Sequence, residues 1–248
     1  MKCKRWVFCC DNHGQHAHAE TLAAFWDFLG WWKPHIKIHG GDNWNFDGWR
    51  SRASAEDQAA DLSTDFSAGI EFVRRYRPSV FLEGNHDYRR EKMEVNIRGD
   101  LRFLANRMQE DINAVLTKCN TIRLPYCSDR GVYELGDYAA LHGYAAGETS
   151  ARRHANAYGN CLFGHVHTIT ECTVPSRRNP RTAHAVGCLC RLDMEYLRPT
   201  IGRLNHKNGW AYGLLFPSGK VAVCQAKRID GVWVLPSEFR LSTRPQSS

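Results

Sequence analysis

No stretch of the 248-residue chain approaches the ~20 consecutive apolar residues of a membrane-spanning helix, so a helical membrane protein is not expected. The N-terminus opens with Lys2, Lys4 and Arg5, but the apolar run of residues 6–10 is too short for the core of a secretory signal. A soluble, cytoplasmic protein without a membrane partner is the expectation. Linker-like sequence is also missing: no Pro/Gly/Ser-rich break separates two cores, which predicts one domain over residues 1–241 and a disordered tail over 242–248. The ten cysteines lack paired spacing. Cys9, Cys10, Cys161, Cys188 and Cys190 sit inside apolar runs, and Cys188/Cys190 lack the x-x spacing of a zinc knuckle, so buried reduced thiols are expected. Acidic residues are scarce in one region only: residues 151–248 hold 14 Lys+Arg against 5 Asp+Glu, a local charge of +9 within a net +7. Such an asymmetry points to a polyanionic partner, nucleic acid or nucleotide, or else to solvated arginines.

What the chain does have is 43% hydrophobic residues, with 8 Trp, 9 Tyr and 11 Phe, enough for a sizeable core. Residues 6–10, 35–39 and 79–82 read as strands, and residues 19–31, 54–76 and 91–118 as helices, with Ser54 capping the second and Pro78 just past its end. Trp6, Trp26, Trp31 and Trp32 are assigned to packing. From residue 120 the pattern changes to short strands at 121–124, 131–135, 138–141, 160–163, 183–189, 210–216, 221–225 and 232–235. One helix interrupts them at 150–158, and a turn at 217–220 joins two of them. A parallel-leaning half followed by an antiparallel-leaning half predicts the α/β class: a four-layer α/β sandwich, two packed mixed sheets flanked by helices.

Polar clusters sit where strands end: Asp11-Asn12-His13, Gly41-Asp42, Gly84-Asn85-His86-Asp87, His142-Gly143 and Gly164-His165-Val166-His167. Loops beyond the carboxyl ends of strands line the crevice of an α/β sheet, so these clusters are expected to converge. Asp11/His13 and His165/His167 are i, i+2 pairs, expected to reach one side of an extended segment. Carboxylate, imidazole and an amide oxygen suit Mn, Fe, Co, Ni or Zn better than Ca or Mg. Seven candidate ligands exceed one tetrahedral site and predict two ions.

In this order the five blocks resemble the signature motifs of calcineurin-like metallophosphoesterases, over residues 11–167. The resemblance implies a first metal on Asp11, His13 and His167, a second on Asn85, His142 and His165, and Asp42 bridging them. It implies His86 as proton donor or phosphate binder, oriented by Asp87. The family usually shows Gly-Asp-x-x-Asp; here the second Asp is displaced to Asp47. The implied activity is hydrolysis of a phosphate ester, a diester ahead of a monoester, by a hydroxide shared between two divalent cations. A repair-type DNA exo- or endonuclease is one alternative, and a nucleic-acid-binding accessory protein with a vestigial site another. Arg89 and Arg90 are candidates to hold substrate phosphate, with a solvated helix start as the equal alternative. Trp44, with Phe46 and Trp49, is placed to stack on a base or sugar. Arg177, Arg178 and Arg181 are candidate contacts to a nucleic-acid backbone.

Overall fold

Alternation along the first strand decides the layering. The computed structural model of the protein describes residues 2–51, 53, 55, 61–95, 98–193 and 205–235. In β1 (Lys4–Cys9), Trp6 and Phe8 face one side and Val7 and Cys9 the other, and all four are buried. Val7 and Cys9 pack against α1 (Ala19–Trp32) and α2 (Leu62–Tyr76) through Phe25, Phe28, Phe72 and Tyr76. Trp6 and Phe8 meet Leu135, Ala140, Leu162 and Val186 of a second sheet. A strand covered on both faces belongs in the middle of a layered α/β fold.

The first sheet runs β12 (Val232–Val234), β11 (Val221–Ile229), β10 (Gly209–Leu215), β1, β2 (Ile36–His39), β3 (Val80–Leu82), β4 (Ile122–Leu124). Strands β1 to β4 are mutually parallel, and β10 joins β1 antiparallel with Val7 opposite Tyr212. The second sheet runs β5 (Val132–Leu135), β6 (Tyr138–Leu141), β7 (Cys161–Phe163), β9 (Arg181–Val186), β8 (Ile169–Val174), with β6, β7 and β9 parallel. Two further helices, α3 (Asp87–Glu94) and α4 (Gly99–Lys118), follow β3. The latter packs with α2 on the outer face of the first sheet around Phe81, Met108 and Ile112. The fifth, α5 (Ser150–Tyr158), covers the outer face of the second sheet through Ala151 and Ala155. The result is the expected four-layer α/β sandwich of two mixed sheets.

Four expectations need correction. The helix over 91–118 is two helices, because α3 starts at the Asp87 anchor near the candidate site while α4 follows the outer core, and Arg98 between them is extended. The helix over 54–76 is described from Leu62, where the Asp61 carboxylate accepts from the backbone N–H groups of Ser63 and Thr64; Ser54 lies outside the described residues, as does the tail at 242–248. Strand β8 was not expected: it is an edge strand with all six of its residues half-buried or exposed in no clean alternation, so periodicity carried little signal. Trp31 is 54% exposed, on the outer side of α1, whereas Trp6 and Trp32 are buried. The ten cysteines are all free, and among the described residues no helix is long and apolar enough to cross a membrane.

Candidate metal centre

Because β1, β2 and β3 are parallel, the loops that follow them emerge at one edge, where they are zipped together through the backbone. Asp11 N–H donates to Gly41 O (2.9 Å), His13 N–H to Asp42 O (3.1 Å) and Gly14 N–H to Asn43 O (2.8 Å). In the second sheet Gly164 N–H donates to His142 O (2.9 Å), and Leu189 N–H reaches back to Cys10 O (3.2 Å). The two carboxyl edges therefore share one end of the sandwich. Close approach is enforced at Gly84, where a Cβ would stand 2.1 Å from Asp42 Oδ1, and at Gly164, where it would stand 2.6 Å from Asp11 Oδ2.

Asp11, His13, Asp42, His165 and His167 all have left-handed backbone, with φ of 55°, 50°, 52°, 69° and 54°. The i, i+2 pairs therefore do not sit on extended segments, which corrects the expected geometry. Each such residue costs of order 1–3 kcal/mol, and strain of this kind persists where the surroundings fix it. His165 and His167 consequently turn to different groups of donors.

One group gathers Asp11, His13 and His167. His13 Nε2 and His167 Nε2 stand 3.2 Å apart, and Asp11 Oδ1 lies 3.4 Å from His167 Nε2 and 4.0 Å from His13 Nε2. The second gathers Asn85, His142 and His165: Asn85 Oδ1 is 3.0 Å from His142 Nε2 and 2.8 Å from His165 Nδ1. Asp42 belongs to both sides. Its carboxylate forms candidate ligand sets with His13 and His86 and with His142 and His165, and its Oδ2 is 3.4 Å from His142 Nε2. The structure thus brings together all seven residues named from the sequence as ligands.

The donors fit divalent cations. Asp11 is fully buried, and its Oδ1 lies between two imidazoles without a hydrogen bond, with His167 Nε2 at 3.4 Å as its nearest cationic neighbour; a buried anionic oxygen held this loosely is costly. His142 donates Nδ1–H to Gly40 O (2.8 Å) and His13 donates Nδ1–H to Asn45 Oδ1 (2.9 Å), so in the neutral ring each Nε2 is the nitrogen that turns a lone pair to the group. Burial opposes protonation of His142, but the Asp42 and Asp11 carboxylates outweigh it and raise the imidazole to about 9. Burial likewise opposes protonation of His167, outweighed by Cys188 and Asp11, and the group rises to about 9. For His13 and His165 burial dominates and pushes each down to about 4. Asp42 stays well below the usual carboxylate range: burial pushes it up, but His142 and His86 outweigh that.

His86 and Arg89 stand beside this centre. His86 Nδ1 is 2.8 Å from Asn45 Oδ1, and Arg89 Nη2 reaches His86 Nε2 at 3.1 Å while its Nη1 donates to Asn45 O (2.7 Å). Burial holds the His86 imidazole well below its usual range, against the pull of Asp42. Asp87 is not the group on the His86 ring. Its carboxylate accepts from the backbone N–H groups of Asp42 (2.8 Å), Gly84 (2.9 Å) and Trp44 (3.1 Å), clamping two loops together. The side chain that orients His86 is Asn45, which also orients His13. Its position, three residues after Asp42, was legible as the x-x spacing of the family motif with an amide in place of the acid. His39 and Asn12, paired at 2.8 Å behind the Asp11 loop, were likewise passed over.

Two other expectations do not survive. Trp44 is 1% exposed, stacked between Phe46 and Phe66 with its indole N–H on Phe66 O, so no face is available to a base. Arg90 is buried among Glu83, Glu91 and Glu94 and is committed to that ion-pair cluster. Arg177 and Arg178 are exposed, and Arg181 opens β9 opposite Val174. They stand at the end of β8 remote from His167, roughly 20 Å along a six-residue strand.

No protein-family profile matches the chain, and no curated protein matches its sequence. Solved structures similar to it include vacuolar protein sorting 29 from Cryptosporidium parvum, 11% identical with a TM-score of 0.49 over 94% of this chain and 95% of that one. A metallophosphoesterase from Sphaerobacter thermophilus is 16% identical with a TM-score of 0.49, over 90% and 88%. An archaeal phosphodiesterase is 13% identical with a TM-score of 0.43, over 90% and 99%. These names divide between a sorting protein and phosphoesterases, so the functional reading rests on the side chains of the centre.

Proposed function

We propose that the chain hydrolyses phosphate esters with two divalent cations, the first held by Asp11, His13 and His167, the second by Asn85, His142 and His165, with Asp42 shared. The observation that carries this reading is the convergence of the fully buried Asp11 Oδ1 with the His13 and His167 Nε2 atoms, with Asp42 in a ligand set on either side. Bound there, two divalent cations supply Lewis acidity toward phosphate oxygens and lower the pKa of water. Gly40 O and Asn45 Oδ1 fix the ring orientations of His142 and His13, so the donors are set before an ion arrives. Arg89 Nη2 donates to His86 Nε2 while His86 Nδ1 donates to Asn45 Oδ1. Either role for the His86 ring, phosphate binder or proton donor, therefore requires a proton on Nε2 in place of the Arg89 contact.

A diester is favoured over a monoester because two separate open spaces lie near the centre. A cavity of about 190 Å³ lined by Tyr126, Tyr144 and Tyr158 adjoins His142. Another of about 570 Å³, lined by His18, Arg191 and Arg228, adjoins His206, whose ring lies 5.1 Å from that of His167. Two substituents on one phosphorus use both spaces; a monoester uses one. The test is to strip the protein, reload it with Mn, Fe, Co, Ni or Zn, and measure bound metal and hydrolysis of an aryl diester, an aryl monoester and single-stranded DNA. Two ions per chain and faster diester turnover are expected. No hydrolysis at full occupancy would overturn the enzyme reading, monoester preference the diester reading, and turnover confined to DNA would favour the nuclease.

A further inference from the structure

We propose that Cys190 is a thiolate ligand of the first metal position, a donor outside the Asp, His and Asn set; the inference rests on the two-ion reading above. His13, His167 and Cys190 are buried and each offers a ligand atom, all within 4.8 Å of one another. Zinc bonds of about 2.1 Å to nitrogen and 2.3 Å to sulfur bridge such a span once the side chains turn inward. A second observation marks the histidine side of this group: Asp11 Oδ1, fully buried and without a hydrogen bond, faces the Nε2 atoms of His167 and His13 at 3.4 and 4.0 Å.

Cys190 is held there by its backbone. It bridges Ala17, its carbonyl accepts from Asn208 Nδ2 (2.7 Å), and the following Arg191 N–H donates to His16 O (2.8 Å). The loop after β9 is thereby fastened to the loop after β1 that carries Asp11 and His13. The Cys190 sulfur itself meets a ring nitrogen of His167, Nδ1, at 3.9 Å, too long to serve as a strong hydrogen bond. On binding, the thiol releases its proton to solvent and sulfur bonds the ion. A sulfur donor makes the first position softer than the second, whose Asn85 amide oxygen is hard, so the first favours zinc or iron and the two positions take different metals.

Cobalt(II), added to the stripped protein to two equivalents, reads sulfur ligation directly through a thiolate-to-cobalt charge-transfer band in the near ultraviolet. The band is expected to grow with one equivalent only, to vanish in Cys190→Ser while the other equivalent still binds, and to persist in Cys188→Ser and Cys10→Ser. Should Cys190→Ser fail to fold, persistence of the band in the other two variants leaves Cys190 as its source. Two bound cobalt ions without the band would overturn the sulfur ligand alone, reducing Cys190 to a neighbour of His167. A band lost in Cys188→Ser but kept in Cys190→Ser would overturn it as well, and failure to bind cobalt at all would overturn both this inference and the two-ion reading.

Discussion

The two ends of the sandwich carry charge in opposite ways. At the carboxyl end of the parallel strands Asp11, Asp42 and Asp87 are buried, hemmed by imidazoles or backbone N–H groups, on loops with left-handed ligand residues. At the far end of β8 and β9, Arg177 and Arg178 are exposed, and the half-buried Arg181 donates to the Asn156 carbonyl at 3.5 Å. Charge counting draws the eye to these arginines, which belong to the +9 of residues 151–248. Burial and strain draw it to the first, and these carry the free-energy cost that a functional site must offset.

The sharpest way to break this contrast is Asp42→Ala. The carboxylate belongs to both groups of donors and accepts the His86 backbone N–H at 2.8 Å, so its removal is expected to empty both positions and lower hydrolysis by ~10³-fold. Elemental analysis beside a rate on an aryl diester reads it. Two ions retained with ordinary turnover would mean that Asp42 is merely a loop anchor.

Titration gives a smaller effect with a definite sign. In the metal-free protein His142 and His167 are raised to about 9 from an ordinary 6.5. Their imidazolium forms therefore stabilise the metal-free fold fully below about 6.5, and that contribution is lost as pH rises through about 9. Each cation needs the ring in its own set neutral, His167 for the first position and His142 for the second. Affinity at each position is accordingly expected to climb across pH 6.5 to 9 by roughly 10-fold per pH unit, one proton leaving per ion, and to level off above about 9. Competition against a chelator, with proton release followed by calorimetry, measures it. An affinity flat across that window would remove both histidines from the ligand set.

Much of the good end was legible beforehand because strand ends are marked by Gly beside polar residues, and five such marks in order leave few arrangements of a parallel sheet. Gly41, Gly84 and Gly164 could be read that way. What was hidden depended on direction. Trp44 and Asp87 each follow a polar block, but one turns into the outer core and the other onto backbone N–H groups, and neither turn has a period in sequence. The return of β10 beside β1 was hidden for a similar reason: an antiparallel strand in the last hundred residues pairs by shape with either sheet. Asn45 was missed because an acid was sought at its position, whereas an amide oxygen between two imidazole N–H groups does the orienting.

The smallest expected effect belongs to the other end. Converting Arg177, Arg178 and Arg181 together to Ala removes groups roughly 20 Å from His167 along β8, so cleavage of a small aryl diester should be unchanged and stability should move by no more than about 0.5 kcal/mol per site. A fall in small-diester turnover would break the contrast between the ends, since no small substrate reaches both. Single-stranded DNA sharpens it instead. If the arginines are solvated only, the variant keeps the parent's salt dependence. If they hold a strand whose other end lies in the centre, the log–log salt slope becomes shallower by about 0.7 per contact removed, and the +9 region acquires a role that charge counting alone could not assign.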